Sequence, residues 1–232
     1  MTKLINYLSI TLILCLMSYC IEAAEVENNN ISTEHSTTPY LNLPSIMEDS
    51  KQSLNIQDKD FVMGNTESNV MIVEYFSPTC PHCFHYQTKI FPELQKKYID
   101  TGKISYVTRE FIGNKQDLDA SILARCNGSI ESYHNFMKVI LDQQDQWAFS
   151  KNYREILTNI GTLGGVSPEQ YAACLNDSAK IQFLIDNNKF LMQGPNFIGT
   201  PTFFINGKHY TKPYTLEDLS EAIDAAIARY GK

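Results

Sequence analysis

Positive charge is in short supply: 19 Lys and Arg stand against 26 Asp and Glu, a formal charge of -7. The basic residues are also scattered, so no surface is left to neutralise phosphates, and a nucleic-acid partner is excluded. No internal repeat is present, which sets aside solenoid and propeller arrays. From Glu25 to about Lys51 the chain is rich in Asn, Ser and Thr and has too few apolar residues to bury, so residues 24–55 are expected to form a flexible polar leader. Metal-binding patterns are incomplete as well. Cys80, His82, Cys83 and His85 crowd one segment, but a zinc finger needs a second ligand pair at set spacing, and covalent haem attachment needs histidine where Phe84 stands. A periplasmic copper or zinc carrier stays a minor alternative.

What remains is ample for a globular protein. Of 232 residues, 43% are apolar and 11% aromatic, enough for one large domain or two small ones. The N-terminus carries Lys3, an apolar segment from Leu8 to Met17, and small residues at Ala23 and Ala24. That layout predicts a secretory signal peptide over residues 1–23; an uncleaved anchor over Leu4 to Ile21 is the alternative, weakened by Asn6, Ser9, Thr11 and Ser18. Export would place the chain where disulfides persist, and with Cys15 and Cys20 removed an even four cysteines remain. They form a close pair, Cys80 and Cys83, and a distant pair, Cys126 and Cys174.

Periodicity orders the rest of the chain. Val70 to Phe76 is a β-branched and aromatic run, as expected of a strand buried on both faces. Pro81 then suits a first helical turn, and Phe84, Phe91, Leu94 and Tyr98 recur at helical spacing. Ile104 to Phe111 reads as a second strand, so the crossover predicts parallel pairing. The middle third is helical: Tyr133, Phe136, Met137, Ile140 and Leu141 share one face, and Ser167-Pro168-Glu169 starts a helix carrying Tyr171, Cys174 and Leu175. Strand signals return at Pro201 to Ile205, then Asn206-Gly207 predicts a tight hairpin into Lys208 to Tyr210. Thr215 and Asp218 cap a last helix with a stripe of Leu216, Leu219, Ile223, Ile227 and Tyr230.

The close cysteine pair sits at the start of the first helix, where the α-carbons are near enough to bridge. There the sulfur of Cys80 faces unpaired backbone N–H groups and the positive end of the helix dipole, both of which favour thiolate over thiol. His82 is placed to add a hydrogen bond or positive charge. A bridge this short closes too small a loop to stabilise much, which argues for chemistry rather than a staple. Glu74 is a carboxylate inside an apolar strand, where burial without a partner is costly; the alternative is a solvated strand end. Cys126 and Cys174 are read as lying on the apolar stripes of two insertion helices, pointing inward. In an exported chain a bridge is favoured over a pair of ordinary buried thiols.

The order β-α-β, helical block, β-β-α, with Cys80-Pro81-His82-Cys83 opening the first long helix and Gly199-Thr200-Pro201 before the returning strand, resembles the DsbA-like thiol–disulfide oxidoreductases. The likeness runs from about Phe61 to the C-terminus. It implies an α/β thioredoxin fold with an inserted all-helical domain: first part 56–114, insertion 115–192, second part 193–232. It further implies a catalyst that introduces disulfides into reduced exported proteins in the periplasm, needs no metal or organic cofactor, and is reoxidised by a quinone-linked membrane partner. By the same resemblance, Glu74 lies beneath the disulfide and moves the proton of the buried Cys83, and Pro201 is cis, with Thr200 pairing with extended substrate. One feature departs from the family's oxidases, which often carry Val where this chain has Thr200; isomerases often carry Thr. A disulfide isomerase or reductase is therefore the alternative activity. The stretch before Phe61 is too short and polar for a dimerisation domain, so a monomer is expected.

Overall fold

A computed structural model describes residues 55–193 and 197–231. The segments expected to be a signal peptide and, but for residue 55, a polar leader lie outside these, as do Cys15 and Cys20. Among the described residues no helix is long and apolar enough to cross a membrane.

Five strands form one sheet in the order β1-β3-β2-β4-β5. The central strand is β2 (Met71–Phe76), buried from Ile72 onward as its run of β-branched and aromatic residues requires. It pairs in parallel with β3 (Ser105–Glu110) and antiparallel with β4 (Thr202–Ile205). The predicted hairpin from β4 to β5 (Lys208–Tyr210) turns at Asn206 and Gly207, whose φ angles of +46° and +74° are those that Asn-Gly tolerates. The sequence reading contained no strand for β1 (Phe61–Gly64), a four-residue edge strand antiparallel to β3. It ends at Gly64, with φ +83°, where any side chain would collide with the carbonyl of Ile104.

The crossover from β2 to β3 is a helix with two changes of pitch: α1 (Pro81–His85), a wide π-type turn at Tyr86–Ile90, α2 (Phe91–Leu94), and a second wide turn at Gln95–Ile99. Pro92 accounts for the first widening, because it has no N–H to donate one turn back and its ring crowds the carbonyl there. The face of β2 carrying Ile72 packs against Tyr86, Phe91, Leu94 and Tyr98 of this helix and Leu219 and Ile223 of the C-terminal helix. Val73 and Tyr75, pointing the other way, meet Leu191.

The helical insertion comprises α3 (Lys115–Ala124), α4 (Ile130–Asp142), α5 (Gln144–Trp147), α6 (Tyr153–Leu163), α7 (Pro168–Leu175) and α8 (Ser178–Gln193), and the chain closes with α9 (Leu216–Tyr230). The Ser167 start signal is a full capping box completed by Gln170, and Thr215 caps α9 through the Asp218 N–H. Tyr133, Phe136, Met137, Ile140 and Leu141 are all buried in the insertion core, together with Trp147. Two arginines tie β3 to its surroundings. Arg109 is paired with Asp60 at 2.6 Å, and Arg125 forks onto both oxygens of Glu110 at 2.7 and 2.8 Å while donating to the carbonyl of Lys59.

Cys126 and Cys174 are bridged, with α-carbons 5.7 Å apart. Cys174 is on α7 as expected. Cys126 is not on a helix stripe: α3 ends at Ala124, Arg125 caps it with its N–H still bonded to the Ser121 carbonyl, and Cys126 lies in the turn beyond, its N–H bonded only three residues back to Leu123. Both cysteines border the core rather than enter it. Joining residues 48 apart, the bridge should stabilise by about 4 kcal/mol through chain entropy. Replacing both cysteines by alanine is expected to lower the denaturation midpoint accordingly while leaving the alkylation rate of Cys80 unchanged. An altered Cys80 rate would show that the bridge reaches the active site.

Candidate active site

Pro81 starts α1, so Cys80 occupies the N-cap, extended at φ -79°, with no side-chain oxygen there to satisfy the first-turn N–H groups. Its sulfur takes that place. The Cys80 thiol is pulled down to about 5: first by the Cys83 thiol donating to it, then by the Thr200 hydroxyl and the backbone N–H groups of Cys83 and His82, with partial burial opposing. Cys83, fully buried, is pushed the opposite way, by burial first and then by the Cys80 thiolate and the nearby charge of Glu74. The two thiols, both free, are thus strongly unlike: one exposed at its edge and ionised, the other enclosed and protonated.

His82 contributes differently from expectation. Its backbone N–H helps hold the thiolate, whereas its ring is exposed, and among the described residues no hydrogen bond or ion pair to that ring is found. Thr200 and Pro201 lie across the cleft, with a cis peptide between them. When protonated, the Cys80 thiol donates to the Thr200 carbonyl at 3.2 Å, a contact between residues 120 apart in sequence.

Glu74 is completely buried, not a solvated strand end. Tyr106 donates to its Oε2 at 2.7 Å and Gln87 donates to the same oxygen at 2.7 Å. Burial still outweighs these two donors and raises the carboxyl to about 7. Gln87 is one helical turn beyond Cys83, so both project from the same face of the helix onto the sheet. Burial and the Cys80 sulfur raise Cys83 most, and the charge of Glu74 adds to them.

The insertion fixes the loop before Cys80, a role absent from the sequence reading. Asp117 accepts from the Ser77 hydroxyl and the Thr79 N–H, both at 2.8 Å. Gln144 donates to the carbonyls of Pro78 at 2.7 Å and Cys80 at 3.1 Å. These contacts set the direction in which α1 departs and hence where its N–H groups point. Tyr214 is a further neighbour: it packs on Tyr86 and Phe203, and its phenol is raised by burial first and then by the two active-site sulfurs. Asn114, whose side chain caps α3 by accepting from the Asp117 N–H, is the one local feature that could have pointed to this helix start.

A helix opening on two unlike thiols, set at the end of a central parallel strand and faced by a cis-proline loop, defines a thioredoxin-fold thiol–disulfide exchange enzyme. A thioredoxin family model matches residues 57–225. Two curated relatives carry the description "Putative protein-disulfide oxidoreductase". The one from Rickettsia felis is 54% identical over 202 residues, covering 86% of this chain and 72% of the relative. The one from Rickettsia prowazekii is 56% identical over 177 residues, covering 76% of this chain and 65% of the relative. Among solved structures, alpha-DsbA1 of Wolbachia pipientis aligns with a TM-score of 0.72 at 26% identity, covering 78% of this chain and 96% of that one. The chain belongs to the thioredoxin family and is a DsbA-like protein-disulfide oxidoreductase.

Proposed function

We propose that the protein works in the oxidising direction, passing the Cys80–Cys83 disulfide to reduced exported proteins in the periplasm as a monomer. The observation that carries this reading is the opposite displacement of the two thiols, Cys80 down to about 5 and Cys83 up. A thiolate stabilised in the reduced enzyme makes its disulfide easier to reduce, and each unit of lowered pKa corresponds to ~30 mV in a two-electron couple. A substrate thiolate attacks Cys80, the Cys80–Cys83 bond breaks, and Cys83 leaves as a thiolate that takes a proton from Glu74. A second substrate thiolate then attacks its partner sulfur in the mixed disulfide, releasing oxidised substrate and the Cys80 thiolate. Reoxidation by a quinone-linked membrane partner closes the cycle.

The hydroxyl of Thr200, acting on both sulfurs, is the observation that favours the isomerase alternative. Parallel assays decide between them: oxidation of a reduced test protein beside refolding of a scrambled one. Fast oxidation with weak unscrambling, and a Cys80–Cys83 pair that oxidises glutathione, are expected. Efficient unscrambling from a stably reduced pair would overturn the oxidase reading.

A further inference from the structure

Two buried tyrosines, Tyr86 and Tyr106, and the half-buried Gln87 surround the carboxyl of Glu74, and their arrangement is lopsided. Tyr106 and Gln87 both donate to Oε2, each at 2.7 Å. Oε1 is buried and has no hydrogen-bond partner among the described residues. An sp2 carboxyl oxygen has two in-plane lone pairs, so two donors occupy Oε2 fully and leave no room for a proton on it. The acidic proton of neutral Glu74 therefore belongs on Oε1.

We propose that Tyr106 and Gln87 are positioning residues for proton exchange with Cys83: by jointly occupying Oε2 they make Oε1 the oxygen that carries and delivers the proton. The proposal rests on Glu74 being the proton relay. In the oxidising step the Oε1–H bond breaks and the proton passes by way of one intervening water molecule, since Oε1 makes no direct hydrogen bond to the sulfur, to the Cys83 thiolate, leaving a carboxylate held by two donors. In the reverse step, when Cys83 attacks a stalled mixed disulfide, its S–H proton returns to Oε1 as the Cys83 sulfur bonds to Cys80 and the substrate leaves as thiolate. No electron acceptor beyond the disulfide is needed.

Three features of the fold build this arrangement. Tyr106 pairs with Ile72 and Thr108 with Glu74, so Tyr106 lies on the same sheet face as the carboxyl. Its hydroxyl is held from behind by the Tyr86 hydroxyl at 3.0 Å, which fixes the direction of donation. Gln87 is partly exposed and also lines a cavity of about 560 Å³ between the helix and the insertion, next to Thr88, Phe91 and Met137. The ionisable groups facing Glu74 are Cys83 and Tyr86 from the helix and Tyr106 from β3; its β4 partner in register, Phe203, is apolar. Both donors hold the carboxyl down against burial, so removing either should raise it further.

The test uses the full chain carrying a mixed disulfide between Cys80 and glutathione. The rate at which Cys83 expels glutathione is followed against pH, and the Glu74 carboxyl band is titrated by infrared difference spectroscopy. Tyr106→Phe and Gln87→Met should each move the midpoint of both titrations upward by about one unit, a tenfold change in the protonation equilibrium. In a Glu74→Gln background neither substitution should move the rate profile. Unmoved midpoints in both variants, beside a profile that Glu74→Gln alters, would defeat the positioning proposal and spare the relay. A profile indifferent to Glu74→Gln itself would defeat both. Gln87 is partly exposed, so Gln87→Met keeps the test decisive if Tyr106→Phe does not fold.

Discussion

Alkylation of the reduced protein by iodoacetamide should titrate with a midpoint near 5, and Cys80→Ser should abolish both this labelling and thiol oxidation. At pH 7 an ordinary thiol is only about 1% ionised, whereas one with its midpoint near 5 is almost wholly thiolate, so the reactive fraction rises on the order of 100-fold. The causes are separable. Thr200→Val removes the hydroxyl donor and should raise the midpoint, while Cys83→Ala removes the largest contribution and should raise it more. Stability carries the same signature. The folded pKa of Cys80 lies below that of the unfolded thiol, so the unfolded reduced chain binds more protons between the two values. The reduced protein should gain stability relative to the oxidised one as pH climbs from about 5 toward 9, and lose that advantage as pH falls through 5. A midpoint near 9, or a reduced-minus-oxidised difference flat across this window, would remove the basis for oxidising power. The melting temperature of Cys80→Ser should stay near that of the reduced protein at pH 5, where the thiolate advantage is small.

Glu74→Gln should stabilise the protein at pH 8 and do little at pH 5. The carboxyl is raised from 4.5 to about 7 because it is buried without full compensation. Its folded pKa is above the unfolded value, so its contribution to stability is fully present below 4.5 and is lost as pH rises through about 7. The ionised, buried form then costs about 3 kcal/mol, which the uncharged amide avoids. Unfolding by urea at the two pH values measures this directly. Equal effects of the substitution at both would mean that Glu74 titrates normally. Catalysis should suffer as stability improves. With no carboxyl to exchange the Cys83 proton, release of a glutathione mixed disulfide by Cys83 should slow on the order of 100-fold near neutrality, the usual scale of general acid–base assistance. A variant more stable yet slower would locate the strain of a buried acid at the step that uses it.

Much of this site was legible because it is local. Pro81 directly after Cys80 announces a helix start, and a sulfur at an N-cap meets unpaired N–H groups whatever the rest of the chain does. Asn206-Gly207 likewise specifies its own turn, and Ser167 its own cap. Glu74 stood out as a charge in an apolar run, and its burial followed from the strand being central. Other features were invisible for the converse reason. The four residues of β1 are too few for a period, and only pairing with β3 makes them a strand. Cys126 was misplaced because the helix before it ends at Ala124, and the tightening to a three-residue turn at Cys126 leaves no local mark in the sequence.

The pair of thiols, the acid near them and the fold class were written into short patterns, since helix starts, turns and buried strands are chosen by neighbouring residues. Which atoms then face one another was decided only in three dimensions. The Thr200 carbonyl reaches Cys80 from 120 residues away, Gln144 and Asp117 aim the loop before it, and Tyr106 and Gln87 converge on one oxygen of Glu74. Strand register and the angle of the crossover helix set these meetings, and no spacing along the chain encodes either.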